Sequence, residues 1–80
     1  MTTDLLVKHQ TVVGQDGAHL KLKLFDGRQT WDAIGFRMGH LWPPERRLER
    51  IDAVYSLEFN TWNGRTNLQL NLKDIKLSAT

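Results

Sequence analysis

Lys21 and Lys23, two residues apart, with Arg37 and Arg65 further along, are the groups best suited to neutralise phosphates, and Trp31 and Trp62 offer flat faces on which bases can stack. A base stacked on an aromatic ring is worth about 1–3 kcal/mol, while lysine and arginine supply a salt-dependent attraction indifferent to base sequence. Together the six residues would make a surface for single-stranded nucleic acid. Each also has an ordinary alternative. Lys21 and Lys23 suit any solvated strand face, and Trp31 and Trp62 could pack against a neighbouring domain. An oligosaccharide-binding surface would use the same aromatics without needing the lysines.

Catalytic sets are harder to find. His9, His19 and His40 are spaced too widely for a helical metal pair, and with no cysteine in the chain nothing completes a zinc site. Asp26 and Asp74 fall where aspartates cap turns and strand ends, and Ser56 and Ser78 lack the adjacent base and elbow glycines of a nucleophile. Gly14-Gln15-Asp16-Gly17 lacks the following Lys-Ser/Thr and helix of a phosphate cradle and reads as a hairpin turn. No metal or cofactor is expected in this chain.

The elements that must position the candidate residues are strands. In His19-Leu20-Lys21-Leu22-Lys23-Leu24-Phe25 the leucines recur at every second position, which puts them on one face and the lysines on the other. Leu68, Leu70 and Leu72 repeat the period, as do Ile51, Ala53, Tyr55, Leu57 and Phe59. Residues 31–38 predict a strand with Ile34, Phe36 and Met38 as its apolar face, opposite Trp31, Gly35 and Arg37, so that Trp31 and Arg37 stand beside Lys21 and Lys23. Residues 5–13 are rich in β-formers without clean alternation, as in a long strand that curls and changes the side it buries. Asp26-Gly27 and Asn63-Gly64 are dipeptides favoured by two-residue type I′ turns. Residues 37–50, with Trp42-Pro43-Pro44 and the sign-alternating 45–50, predict a loop followed by one or two helical turns, because the residue before proline avoids the α region.

Five such strands in a chain this short would leave edges exposed in an open sheet, and a closed barrel removes them. The fold class is therefore all-β, a five-stranded oligonucleotide/oligosaccharide-binding (OB) Greek-key barrel with a loop or short helix between strands 3 and 4. An SH3-like barrel is the rival, disfavoured because its short final helical turn has no counterpart here. In the OB barrel, strands 2 and 3 are the usual ligand face, flanked by the loops joining strands 1 to 2 and 4 to 5.

Composition sets the outer limits. Eighty residues, 40% apolar and 25% charged, describe one folded domain spanning 1–80. Such a domain buries roughly 60–65% of its unfolded surface, enough for one core and not for an elaborate catalytic cleft besides. A net charge of +2 is a small excess of bases and not by itself a nucleic-acid signature. No run approaches the roughly 20 apolar residues of a membrane span and Met1-Thr2-Thr3-Asp4 lacks the basic and apolar regions of a signal peptide, so a cytoplasmic location without membrane contact is expected; a monomer is expected as well.

The ordered set Val12-Val13-Gly14, His19 to Leu24 ending in Asp26-Gly27, Asp32 to Gly39, Ile51 to Glu58, Asn60 to Arg65, Leu68-Gln69-Leu70 and Lys73-Asp74-Ile75 resembles the OB domain of the RecJ family of single-stranded-DNA-specific exonucleases. The resemblance covers roughly residues 5–76. It implies a domain from the C-terminal part of a larger bacterial enzyme that degrades single-stranded DNA from the 5′ end in recombination and repair. In that family catalysis resides in a separate core, where an Asp-His-His motif and other paired Asp and His residues bind two divalent ions, Mn²⁺ or Mg²⁺. No Asp-His-His occurs here, so no catalytic residue carries over and the isolated chain is not expected to cleave DNA. What the resemblance implies is a barrel that holds single-stranded DNA beside the catalytic core, with Arg65 and the two lysines at positions that match DNA contacts. The alternative is a structural or protein-interaction barrel that docks on that core or on another partner. The segment 41–50 departs from the family pattern.

Overall fold

A computed structural model describes residues 2–78, with the side chains of Asn60 and Trp62 outside the description. Five strands, β1 (Thr2–Val13), β2 (His19–Phe25), β3 (Thr30–Gly35), β4 (Arg50–Trp62) and β5 (Arg65–Leu77), close into a barrel in the order β1-β2-β3-β5-β4. All neighbours are antiparallel except β3 and β5, which run parallel. This is the five-stranded OB architecture that the alternation predicts.

The leucine row of β2 is the reason the barrel closes around a dry centre. Leu20, Leu22 and Leu24 are wholly buried among Leu5, Ala33, Leu48, Ile51, Ala53, Leu70, Leu72 and Ile75. Burying a leucine is worth about 1.5–3 kcal/mol, so this one strand supplies a large part of the driving force for closure. Three irregularities in register, one of them in β1 between Thr2 and Leu5 against β4, let the long strands bend while keeping their apolar side inward. In β1 the register jumps between Val7 and His9, leaving Lys8 as the extra residue. In β5 the jump falls after Leu72, so the next inward side chain is Ile75, three residues on. The curl expected in β1 is present.

Four sequence expectations need correcting. First, β3 ends at Gly35, and its inward residues are Trp31, Ala33 and Gly35, paired with Leu24, Leu22 and Leu20. Ile34 points outward opposite Lys21, and Phe36 is exposed in the turn that follows. The cause is volume: small residues on β3 make room for the leucines of β2, and a Cβ on Gly35 would meet the Met38 sulfur. Hydrophobic periodicity alone ranks Phe36 above Gly35 as a core residue.

Second, the Asp26-Gly27 turn is not a two-residue type I′ turn. Residues 26–29 form it, with Asp26 N–H donating to the Gln29 carbonyl, and the Asp26 carboxylate accepts the Arg28 and Gln29 amides at 2.7 and 2.9 Å. Aspartate here caps the turn instead of adopting positive φ within it. Asn63 and Gly64 do take positive φ, 49° and 74°, as a type I′ turn requires.

Third, β4 and β5 outgrow the barrel. Pairing to β1 reaches only Ala53 on β4, and pairing to β3 covers only Gln69 to Asn71 on β5. The remainder is a two-stranded arm whose apolar side continues the core row into solvent. Leu57 and Phe59, expected to be half-buried, are 56% and 74% exposed.

Fourth, the segment 36–49 forms a succession of turns and not the one or two helical turns expected after the loop, because several of its backbone groups are bonded to Gln10 instead of to one another along a helix. It nevertheless closes the barrel end, by inserting Leu48 into the core and laying Trp42 against it. Gln10, inward-facing opposite Leu22, holds the segment in place. Its side-chain amide donates to the Trp42, Pro43 and Arg46 carbonyls at 3.2, 3.2 and 3.0 Å, and its Oε1 accepts the Leu48 amide at 2.7 Å. One side chain thus satisfies the backbone of an irregular loop that would otherwise bury unpaired polar groups.

Candidate nucleic-acid interface

Since β2 buries Leu20, Leu22 and Leu24, its alternate residues His19, Lys21, Lys23 and Phe25 form an outward row. Successive outward side chains lie about 6.5–7 Å apart along a strand. On one side the row faces Val13, Thr11, His9 and Leu6 of β1, and on the other Ile34, Asp32 and Thr30 of β3. Lys23 Nζ approaches Asp32 Oδ1 at 3.2 Å, both side chains being about half exposed. A surface pair of this kind contributes only about 0–1 kcal/mol, so it gives way readily to a phosphate. Lys21 has no ion-pair partner among the described residues.

Aromatic groups stand at both ends of the row. At one end the Lys8 ammonium sits 5.2 Å above the Phe25 ring. At the other, Phe36 meets His19 edge to face, with ring centroids 5.3 Å apart and planes at 76°. His19 is fixed from two further directions. Its Nδ1 accepts the Arg37 backbone N–H at 3.0 Å, and its ring occupies the space where a Cβ on Gly14 would fall. Arg37 itself is held at φ 62°, a left-handed conformation that costs an ordinary side chain about 1–2 kcal/mol. Phe36, 52% exposed, presents a ring face that sequence reasoning misses by assigning it to a buried side. Gly35 and Gly39, which bracket it, were the available hint that the strand had ended.

The predicted residues do not all converge. Lys21, Lys23 and Arg37 belong to the β2 row and its end. Trp31 lies on the opposite, inward side of β3, half-buried at the barrel mouth, where its Nε1–H donates to Asp26 Oδ2 at 2.9 Å. There it lines a cavity of about 140 Å³ with Thr2, Leu5, Tyr55, Leu57 and Leu70. Parity explains the separation: Trp31 pairs with Leu24, and paired residues share a face. Arg65 is exposed near the tip of the arm, four residues before Gln69 and so about 13 Å along the strand from the pairing with β3. The Trp62 side chain lies outside the described residues.

Electrostatically the row is cationic with local counter-charges. Besides Asp32, Glu58 stands on the polar side of the arm, where its Oε1 accepts the amide of the buried Asn71 at 2.6 Å. Two carboxylates elsewhere are held in their ionised form by hydrogen bonds. The Gln29 amide, the Trp31 indole and the Arg28 amide bring Asp26 down to about 2. The Asp4 amide and the Ser78 hydroxyl likewise lower Asp52. Both are structural clamps at strand ends.

Among the described residues no three His, Asp or Glu side chains come together to hold a metal ion. No helix among these residues is long and apolar enough to cross a membrane. The arrangement can neutralise phosphates through Lys8, Lys21, Lys23 and Arg37, and it offers Phe25 and Phe36 as ring faces.

Comparison with known proteins agrees with the fold. No curated protein and no solved structure gives a match. The family model described as the RecJ OB domain matches residues 1–74, nearly the whole chain. With the barrel and its strand order already in place, that match establishes that the chain belongs to the RecJ OB domain family.

Proposed function

We propose that the chain is a single-stranded-DNA-binding accessory domain of a RecJ-like 5′-to-3′ exonuclease, non-catalytic by itself, which holds the strand for a separate metal-dependent core. The observation that carries the reading is the outward row of β2, with Lys21 and Lys23 between His19 and Phe25 and with Phe36 and Arg37 at its end. Cations spaced along a strand and interrupted by ring faces suit a flexible polyanion with exposed bases. Family membership supports the same reading.

Titration with oligo-dT at low salt, followed by tryptophan fluorescence and backbone NMR, tests it. Three to five neutralised phosphates give an affinity that falls with log salt at a slope of about −2 to −3.5. The double substitution Lys21→Gln/Lys23→Gln should flatten that slope by about 1.4 units. Unperturbed resonances on β2 at saturating oligonucleotide would refute the proposal.

One observation favours a second reading, a barrel that docks on the exonuclease core or a partner: the arm leaves Leu57 and Phe59 on one exposed side. That reading predicts that Phe59→Ala impairs a longer parent enzyme while leaving oligonucleotide binding by the domain unchanged.

A further inference from the structure

Where β1 bulges at Lys8, it separates from the segment that closes the barrel end, and a cleft of about 270 Å³ opens between them. Lys8, His9 and Gln10 line one side and Pro44, Arg47 and Leu48 the other, with no carboxylate on either. The walls are fixed. Gln10 makes four hydrogen bonds to residues 42–48, and the Val7 amide donates to the Glu49 carbonyl at 2.8 Å. With the Gln10 amide committed to the loop, the side chains left to meet a ligand are the ammonium, the imidazole and the guanidinium.

The cleft also adjoins the β2 row. His9 is the register partner of Lys23, and Lys8 reaches over Phe25. A strand lying along β2 therefore enters the cleft by crossing one strand of the sheet, about 5 Å. We propose that the cleft binds a phosphodiester group of the same single strand, carrying its path from β2 across β1 to Arg47, on a side of the barrel away from strand 3. Arg47 suits this role because its planar fork matches phosphate oxygens. The inference rests on the nucleic-acid reading above and adds a direction to it.

The test uses the whole 80-residue chain and oligo-dT of about 4 and about 12 nucleotides, within the range of OB-fold site sizes. Arg47→Gln should weaken the longer oligonucleotide about 3- to 5-fold at low salt and flatten its salt slope by about 0.7 units, while the shorter one binds as before. Arg47→Lys should restore part of the loss, which excludes misfolding as its cause. An unchanged slope, or equal weakening at both lengths, overturns the path while the effect of Lys21→Gln/Lys23→Gln leaves the β2 reading standing. Failure of the unmodified chain to bind either oligonucleotide overturns both. Inorganic phosphate provides the remaining arm: if it shifts the His9 ring resonances and oligo-dT does not compete, the cleft takes free phosphate and the strand path is overturned.

Discussion

The same alternation of leucine with polar residues has opposite outcomes in β2 and in the β4–β5 arm. In β2, Leu20, Leu22 and Leu24 are sealed, because inward residues of four other strands and Leu48 from the closing segment surround them. In the arm, Leu57 and Phe59 carry the same pattern into solvent, because neither β1 nor β3 extends far enough to cover them. Periodicity therefore specifies which residues share a face. What that face meets depends on the relative lengths of the strands.

Truncation separates the two regions most sharply. Leu22→Ala should destabilise the barrel by about 2–5 kcal/mol, whereas Phe59→Ala should stay within about 0.5 kcal/mol; urea unfolding measures both. Comparable losses would mean that the arm is packed after all. Next in size is the closing segment. Gln10→Ala leaves the Leu48 amide and the carbonyls of 42, 43 and 46 without their partner and should cost about 1–3 kcal/mol. Its NMR shift changes should centre on 42–48 and leave the arm untouched.

Arg37 offers a smaller effect of opposite sign. Arg37→Gly relieves the positive φ and should stabilise the fold by about 1 kcal/mol while weakening oligo-dT, a divergence that a purely structural Arg37 would not produce. Asp32→Asn should change stability by less than about 1 kcal/mol, yet tighten oligo-dT a few-fold by releasing Lys23. At neutral pH the least visible group is Asp26. Its folded pKa, about 2, lies below the 3.8 of an ordinary aspartate, so its contribution is complete above about 4 and disappears as pH falls toward 2. Thermal melts across that window should show the melting temperature declining as pH falls.

Much of this was legible in the sequence. The strands around Leu20–Leu24 and Leu68–Leu72 follow from period two, Asn63-Gly64 from its φ requirement, and the barrel from the need to remove edges. The outward placement of Lys21 and Lys23 came with the leucines. Trp31 and Phe36 were exchanged because hydrophobicity carries no information on volume, and Ala33 and Gly35 are small for a packing reason that appears only when β2 lies opposite. Gln10 reads as a polar interruption in β1, since its four partners lie more than thirty residues away. Lys8 acquires its meaning from a bulge that its neighbours do not announce.

Gly39 has a practical consequence for altering this protein. Its amide donates to the Ala18 carbonyl at 3.0 Å, and a Cβ there would stand 2.0 Å from the Gly17 carbonyl oxygen. The connections 14–18 and 36–49 are thereby latched together, so lengthening either one displaces both. Surface loops ordinarily accept insertions cheaply, and these two would not. Gly27 and Gly64, by contrast, have nothing within 4 Å of an added Cβ. Tags, labels and grafted peptides therefore belong at those two turns, where the chain can grow without loosening the latch.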